Sequence, residues 1–360
     1  MLIFWKEFLC CVQYMNSVSI IIPIYNVEKY IERCIRSVMH QQNYDGYLEC
    51  ILVDDCTPDK SVQIAQSLIE TYQGPVEFRI IRNLVNQGLS CSRNSGLLYA
   101  KGDYVFFLDS DDYISNDCIH CLSKQLCLND CTVDMVVGNS YEYRHDKYWQ
   151  TRDASPIMLN DHIDIMRKFL QIEIPMMAWN KLINRQFLIT HNLFFAPKMV
   201  HEDELWSFQL YDVVKNVVLI PEVTYFYEQN ANSIMTSSEN ISFRVKACHT
   251  LVYKMLESLE NKELYIEKYF WGIHMYMLAE DMLFNNEFSS ELVSNNAELR
   301  TQLLYRTAKD GRWVLFVFLF LTITPPFCYL VRFKWFRHKY HLMNSLFMKF
   351  ALLFDFIHRP

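Results

Sequence analysis

The chain of 360 residues has no excess of positive charge: 34 Lys and Arg stand against 41 Asp and Glu, a net charge of -7. Without a global positive field to attract a phosphate backbone, a general nucleic-acid binder is excluded. No secretory leader is expected in the opening MLIFWKEFLCCVQY either, which carries Lys6 and Glu7 inside its apolar stretch and lacks a small-residue cleavage site. The 12 cysteines therefore belong to a reducing cytoplasm rather than to a disulfide framework. Nor do they form paired CxxC knuckles. In the densest group, Cys118, Cys121, Cys127 and Cys131, the neighbours Ile119, Leu122 and Leu126 make one helix face, so buried free thiols account for it better than zinc. Internal repeats and low-complexity linkers are absent too.

What is present is apolar: 51% hydrophobic and 15% aromatic residues suffice for a sizeable core and leave apolar surface for a membrane or a lipid-like partner. From Ser17 the chain alternates strand and helix patterns. Strands are predicted over Ser17 to Ile24, Leu48 to Val53 and Val76 to Ile81, with a fourth ending in acids after Phe107. Helical spacing separates them: Tyr30, Ile31, Cys34, Ile35, Val38 and Met39, then Val62, Ala65, Leu68, Ile69 and Tyr72, then Ser90 to Ala100 with Lys101 and Gly102 as its expected stop. Such alternation predicts an α/β fold, a Rossmann-like, mostly parallel sheet covered by helices. Its strand-end acids at 54 and 55 would face the same crevice as those near 109. The reading divides the chain into an N-terminal extension (1–16), an α/β half (17–138), a mixed half (139–240), a helical region (241–312) and a tail (313–360).

The stretch DYVFFLDSDD, Asp103 to Asp112, is the most informative. A buried strand delivers Asp109, Asp111 and Asp112 to one spot at its C-terminal end, where open α/β sheets place ligands. Like charges so crowded require something positive beside them. A hard divalent cation, Mg2+ or Mn2+, suits one or two carboxylates and leaves positions open for the phosphates of a nucleoside diphosphate. A polar turn whose acids cap the next helix is the structural alternative.

Four ordered segments, SVSIIIPIYNVEKYIERCIRSV, ILVDDCTPDKS, NQGLSCSRNSGLLYAKGDYVFFLDSDD and HEDELW, resemble the successive signatures of family two glycosyltransferases with the GT-A fold. The resemblance covers about Ser17 to Ser238. It implies that Pro23, Tyr25, Asn26, Asp54 and Asp55 hold the nucleoside, that Arg93 sits on the diphosphate side, and that Asp109 and Ser110 belong to the donor site. It further implies a DxD element in which Asp109 with Asp111, or its neighbour Asp112, ligates the metal. The base that deprotonates the acceptor hydroxyl falls on Asp203, with Glu202 and the segment around Trp179 and Lys181 on the acceptor side; His201 is a possible helper. The implied reaction is an inverting displacement from a nucleoside-diphosphate sugar, a UDP-sugar favoured, to a glycan or polyprenyl-linked acceptor in surface-polysaccharide assembly.

Two other readings stay open. DSDDY also resembles the opening of aspartate-nucleophile phosphohydrolases, although that motif belongs on the first strand of its domain and here three strand units precede it. A non-catalytic sugar-nucleotide binder is the other. In the tail, Trp313 to Leu330 carries no charge but is short for a span and is interrupted by Pro325 and Pro326. Arg306, Lys309 and Arg312 flank it on one side, Arg332, Lys334, Arg337 and Lys339 on the other, with Trp335, Phe336 and Tyr340 among the latter. That pattern fits a segment lying in the headgroup region and predicts a cytoplasmic protein, peripheral or monotopic at the inner face of the cell membrane.

Overall fold

The computed structural model describes residues 16–127, 132–143, 147–149, 155–171, 173–199, 202–228, 241–260, 264–284, 290–312 and 320. The chain divides into two compact units, Met1–Thr236 and Ser237–Pro360.

In the first unit, β1 (Val18–Ile24) and β2 (Leu48–Asp54) are buried at every position. Continuous apolar sequence is what a parallel strand covered on both faces requires. β3 (Glu77–Arg82) lies parallel to β2, β2 to β1, and β1 to β4 (Tyr104–Phe107). The crossovers run through α1 (Ile31–Met39), α2 (Ser61–Thr71) and α3 (Leu89–Tyr99). Of these, α1 turns Ile31, Cys34, Ile35 and Val38 inward, as its spacing predicts.

After β4 the sheet becomes mixed. The short β5 (Tyr113–Ile114) is followed by α4 (Cys118–Cys127), β6 (Met135–Glu142), β7 (Lys147–Trp149), β8 (Ile157–Leu159) and α5 (His162–Leu170). Then come β9 (Lys181–Asn184), α6 (Arg185–Thr190), α7 (Glu202–Tyr211) and β10 (Val217–Tyr227). The strand order is β3-β2-β1-β4-β9-β6-β10-β5, with β7 on β6 and β8 on β10. Since β9 runs antiparallel to both β4 and β6, the parallel half passes into the second half without a break. Position 138, the expected division between halves, falls inside β6, so both halves share one sheet.

At the N-terminal ends of the parallel strands, the fully buried Glu49 gathers Ser19 Oγ at 2.5 Å, the Lys101 amide at 2.6 Å and an Arg79 guanidinium nitrogen at 2.7 Å. Gly102 has a different role from the helix cap expected of it. Its amide donates to Ser19 Oγ at 2.8 Å, and a Cβ there would lie 2.6 Å from the Ser19 nitrogen, so the close approach of β1 is what requires glycine. α3 itself ends at Ala100 in extended conformation.

The second unit contains α8 (Ile241–Ser258), α9 (Tyr265–Phe284) and α10 (Ser290–Lys309), in line with the helical region expected over 241–312. α8 packs on both of the others. A buried polar chain joins the three: His249 Nε2 lies 3.0 Å from Asn296 Oδ1, and the Asn296 amide donates to the Tyr276 hydroxyl and to Glu280. Among the described residues no helix is long and apolar enough to cross a membrane. The tail at 313–360, apart from residue 320, lies outside them, as do Cys131 and His201.

Candidate active site

The C-terminal ends of β1, β2 and β4 open on one side of the sheet, and the loops that leave them carry most of the residues singled out above. After Pro23 the chain exits β1 through Tyr25, half exposed, and Asn26, whose left-handed φ of 56° suits asparagine. The Asn26 amide donates to Thr57 Oγ1 at 2.8 Å, which clips this loop to the one after β2.

At the end of β2 the two acids are buried and hydrogen-bonded. Asp54 accepts from the Thr57 amide at 2.9 Å and pairs with Arg82 at 3.2 Å. Asp55 accepts from the Asn83 side chain at 2.7 Å and from the amides of Gln87 and Gly88 at 2.9 and 2.7 Å. It thereby fixes the loop that starts α3, where Gly88 has φ 85°.

α3 carries Arg93, and here the geometry differs from the expectation. Its side chain is only 1% exposed. One terminal nitrogen meets Asp109 at 2.7 Å; the other meets Asp203 at 2.6 Å and Glu202 at 3.1 Å. The Phe195 ring lies 5.1 Å from the guanidinium carbon. Instead of waiting for a diphosphate, this cation is already enclosed by carboxylates. The positive partner that the crowded acids require is therefore supplied in part by the chain itself.

The three acids after β4 part company. Asp109 is partly exposed and points one oxygen at Arg93. Asp111 is partly exposed, and its carbonyl accepts from Arg33 at 3.0 Å. Asp112, a candidate metal ligand by sequence, instead turns into the core. It is 1% exposed and accepts from the Tyr225 hydroxyl at 2.7 Å and the Glu228 amide at 2.8 Å. Burial pushes its carboxyl well above the usual range, with Asp111 and Asp109 adding to the effect. Ser110 is buried.

Glu202 and Asp203 open α7, where the helix N-terminus favours negative charge. Both Asp203 oxygens have partners, Arg93 on one and the Ala178 amide at 3.1 Å on the other. Burial, then the neighbouring Asp203, pushes the Glu202 carboxyl up to about 7, against the pull of Arg93. Trp179 and Lys181 do not form an exposed acceptor platform. The Trp179 ring is buried and stacks on Tyr225, centroids 4.3 Å apart, because both belong to the core under β10. Lys181 is fully buried and donates to the Met177 carbonyl, and burial pushes its ammonium down to about 7 although Asp203 draws it upward.

The sequence reading missed Tyr225. Its hydroxyl donates to Asp112 and accepts from the Asp109 amide at 3.3 Å, so one side chain sets the shape of the acidic loop. Period-two alternation along β10, which sets Tyr225 and Tyr227 on one face, is the signal that could have found it. Asn83, the partner of Asp55, could have been found from its place one residue past β3, beside the end of β2.

Comparison with known proteins supplies the family and the fold. Residues 19–191 match the family model described as glycosyl transferase family 2. This chain belongs to glycosyltransferase family 2. It is 31% identical over 222 residues to the uncharacterized glycosyltransferase EpsJ of Bacillus subtilis, a match covering 60% of this chain and 62% of that protein. Against the poly(ribitol-phosphate) beta-N-acetylglucosaminyltransferase TarS of Staphylococcus aureus it is 24% identical over 232 residues, 63% of this chain and 38% of the relative. The match thus spans about three fifths of EpsJ and less of TarS. Among solved structures, TarS 1–349 in complex with UDP-GlcNAc superposes with a TM-score of 0.61 at 17% identity over 80% of each chain. A Pyrobaculum calidifontis mannosyltransferase in complex with GDP-Man and Mn2+ gives 0.53 at 15% identity over 100% of this chain and 95% of that one. These likenesses carry the fold, the GT-A arrangement of a mixed, largely parallel sheet with helices, as the first-unit topology requires.

Proposed function

We propose that the protein is an inverting, metal-assisted glycosyltransferase that moves a sugar from a nucleoside diphosphate, a UDP-sugar by preference, to a hydroxyl of a glycan or polyprenyl-linked acceptor in surface-polysaccharide synthesis. One observation carries the reading: donor-side acid and candidate base, 94 residues apart in sequence, meet at the two ends of one guanidinium, Arg93 to Asp109 at 2.7 Å and Arg93 to Asp203 at 2.6 Å. Membership of the family and the fold shared with structures that hold UDP-GlcNAc and GDP-Man support it.

In this mechanism Asp203 takes the proton of the acceptor hydroxyl. The freed oxygen lone pair attacks the anomeric carbon from the face opposite the diphosphate, whose C–O bond breaks, and the configuration inverts. Pro23, Tyr25, Asn26, Asp54 and Asp55 line the nucleoside side. Among the described residues no group of three His, Cys, Asp or Glu side chains is placed to hold a metal ion by itself. A donor set of Asp109 and Asp111 still fits Mg2+ or Mn2+, which bind through one or two carboxylates and take further oxygens from phosphate and water. When bound, such an ion would supply charge for the departing diphosphate. The tail is assigned to the inner membrane face, where polyprenyl-linked acceptors would be met.

The test is a thermal-shift panel of UDP- and GDP-sugars with manganese, repeated with chelator. A ligand that binds only the folded chain raises the midpoint, and at a hundred times its Kd adds about 2.7 kcal/mol. A midpoint unmoved by every nucleotide sugar would remove the proposal.

A further inference from the structure

Arg93 has no face left for a phosphate. The guanidinium is 1% exposed, its two terminal nitrogens are aimed at Asp109, Asp203 and Glu202, and the buried Nε has no hydrogen-bond partner. The carboxylates come from separate parts of the fold: Asp109 from the loop after β4, Glu202 and Asp203 from the first turn of α7, while Arg93 itself sits on α3. A planar fork with fixed donor directions can set the angle between two such groups, which a point charge on a flexible stem cannot do.

Resting on the glycosyltransferase reading above, we propose that Arg93 is a positioning residue: it acts through Asp203, holding the base at a fixed place relative to the donor-side acid Asp109, and takes no part in binding the diphosphate. Asp203 is then located from two directions, by Arg93 on one oxygen and by the Ala178 amide on the other. Each oxygen keeps a further lone pair, so the carboxylate can still accept a proton. Catalysis depends on such placement, since a displacement of about 1 Å in a reacting group can lower a rate about a hundredfold.

The decisive comparison separates binding from turnover in wild type, Arg93→Met and Arg93→Lys. UDP and GDP, each with manganese, are titrated calorimetrically, and hydrolysis of UDP-GlcNAc or GDP-Man is followed with water standing in for the acceptor. Both variants should keep the wild-type nucleotide Kd within about twofold, and Arg93→Met should lose roughly a hundredfold in kcat. Arg93→Lys, which keeps the charge and is the variant to rely on if the methionine protein does not fold, should also lose kcat because it cannot fork. A tenfold weaker nucleotide Kd or higher KM with kcat preserved would show a phosphate ligand and overturn the proposal, as would unchanged kinetics in Arg93→Lys. A wild-type chain that neither binds a nucleotide nor consumes a nucleotide sugar would sink the glycosyltransferase reading, and this proposal with it. A fully active wild type with unaffected variants would sink this proposal alone.

Discussion

Asp203 and Asp111 are 92 positions apart, and the tasks proposed for them are separable by single substitutions. Asp203→Asn keeps the shape and the contact with the Ala178 amide but cannot take a proton, so nucleotide-sugar binding should persist while transfer falls by about 10² to 10⁴. Asp111→Asn should instead abolish the manganese dependence of nucleotide binding. Calorimetry with and without chelator, beside a transfer assay, reads both, and full transfer by Asp203→Asn would remove the base assignment. Glu202 adds a pH effect. Its carboxyl, raised from 4.5 to about 7 by burial and by Asp203, binds its proton more tightly in the folded chain. Stability is therefore expected to fall as pH rises through that window, by on the order of 3 kcal/mol at 1.36 kcal/mol per unit. Glu202→Gln should flatten this part of the profile in urea titrations at pH 4.5 to 7.5; an unchanged slope would contradict it.

At the scale of elements, α7 is joined to the loop between α5 and β9 by a row of side chains four residues apart. Asp203 accepts from the Ala178 amide, Ser207 Oγ donates to the Met176 carbonyl, and the Tyr211 hydroxyl donates to the Pro175 carbonyl at 3.2 Å. Positions 203, 207 and 211 share one helix face, so the row fixes the rotation of α7 and with it the direction of Asp203. Ser207→Ala should cost about 0.5 to 1.5 kcal/mol in urea unfolding, because the half-buried Met176 carbonyl loses its donor, and should lower kcat more than it raises KM. At the opposite end of the sheet, Glu49 joins β1, β2, β3 and the turn before β4. Burial alone would raise its carboxyl, but Ser19, the Lys101 amide and Arg79 outweigh that and hold it below the usual range. Its contribution is then present above the ordinary glutamate range and is lost as pH falls through the lowered value. Glu49→Gln should remove that part of the acid sensitivity, and acid titrations of the two proteins that overlay would refute it.

For the whole molecule, the residues proposed for nucleotide-sugar chemistry lie in the first unit, whereas the segment read as membrane-associating lies in the tail after Gly311. Truncation before Gly311 should therefore abolish flotation with anionic vesicles while leaving the midpoint shift by UDP and manganese in place. Flotation that survives truncation would refute the role of the tail.

Continuous apolar runs with period-appropriate helices between them determined β1, β2, β4 and α1 to α3, because burial of those strands on both faces leaves no freedom in which residues face inward. Local order likewise placed the acids of DSDD and of HEDELW at the ends of elements. Their directions were not local properties. Whether Asp112 faces a ligand or Tyr225, whether Trp179 is a platform or core, and whether Arg93 meets phosphate or carboxylate all depended on side chains tens to more than a hundred positions away. Sequence spacing fixes which residues reach one end of a sheet; only the packed chain decides which charges neutralise each other there, since the cost of an unpaired buried charge is settled by whatever neighbour the tertiary fold brings within hydrogen-bonding distance.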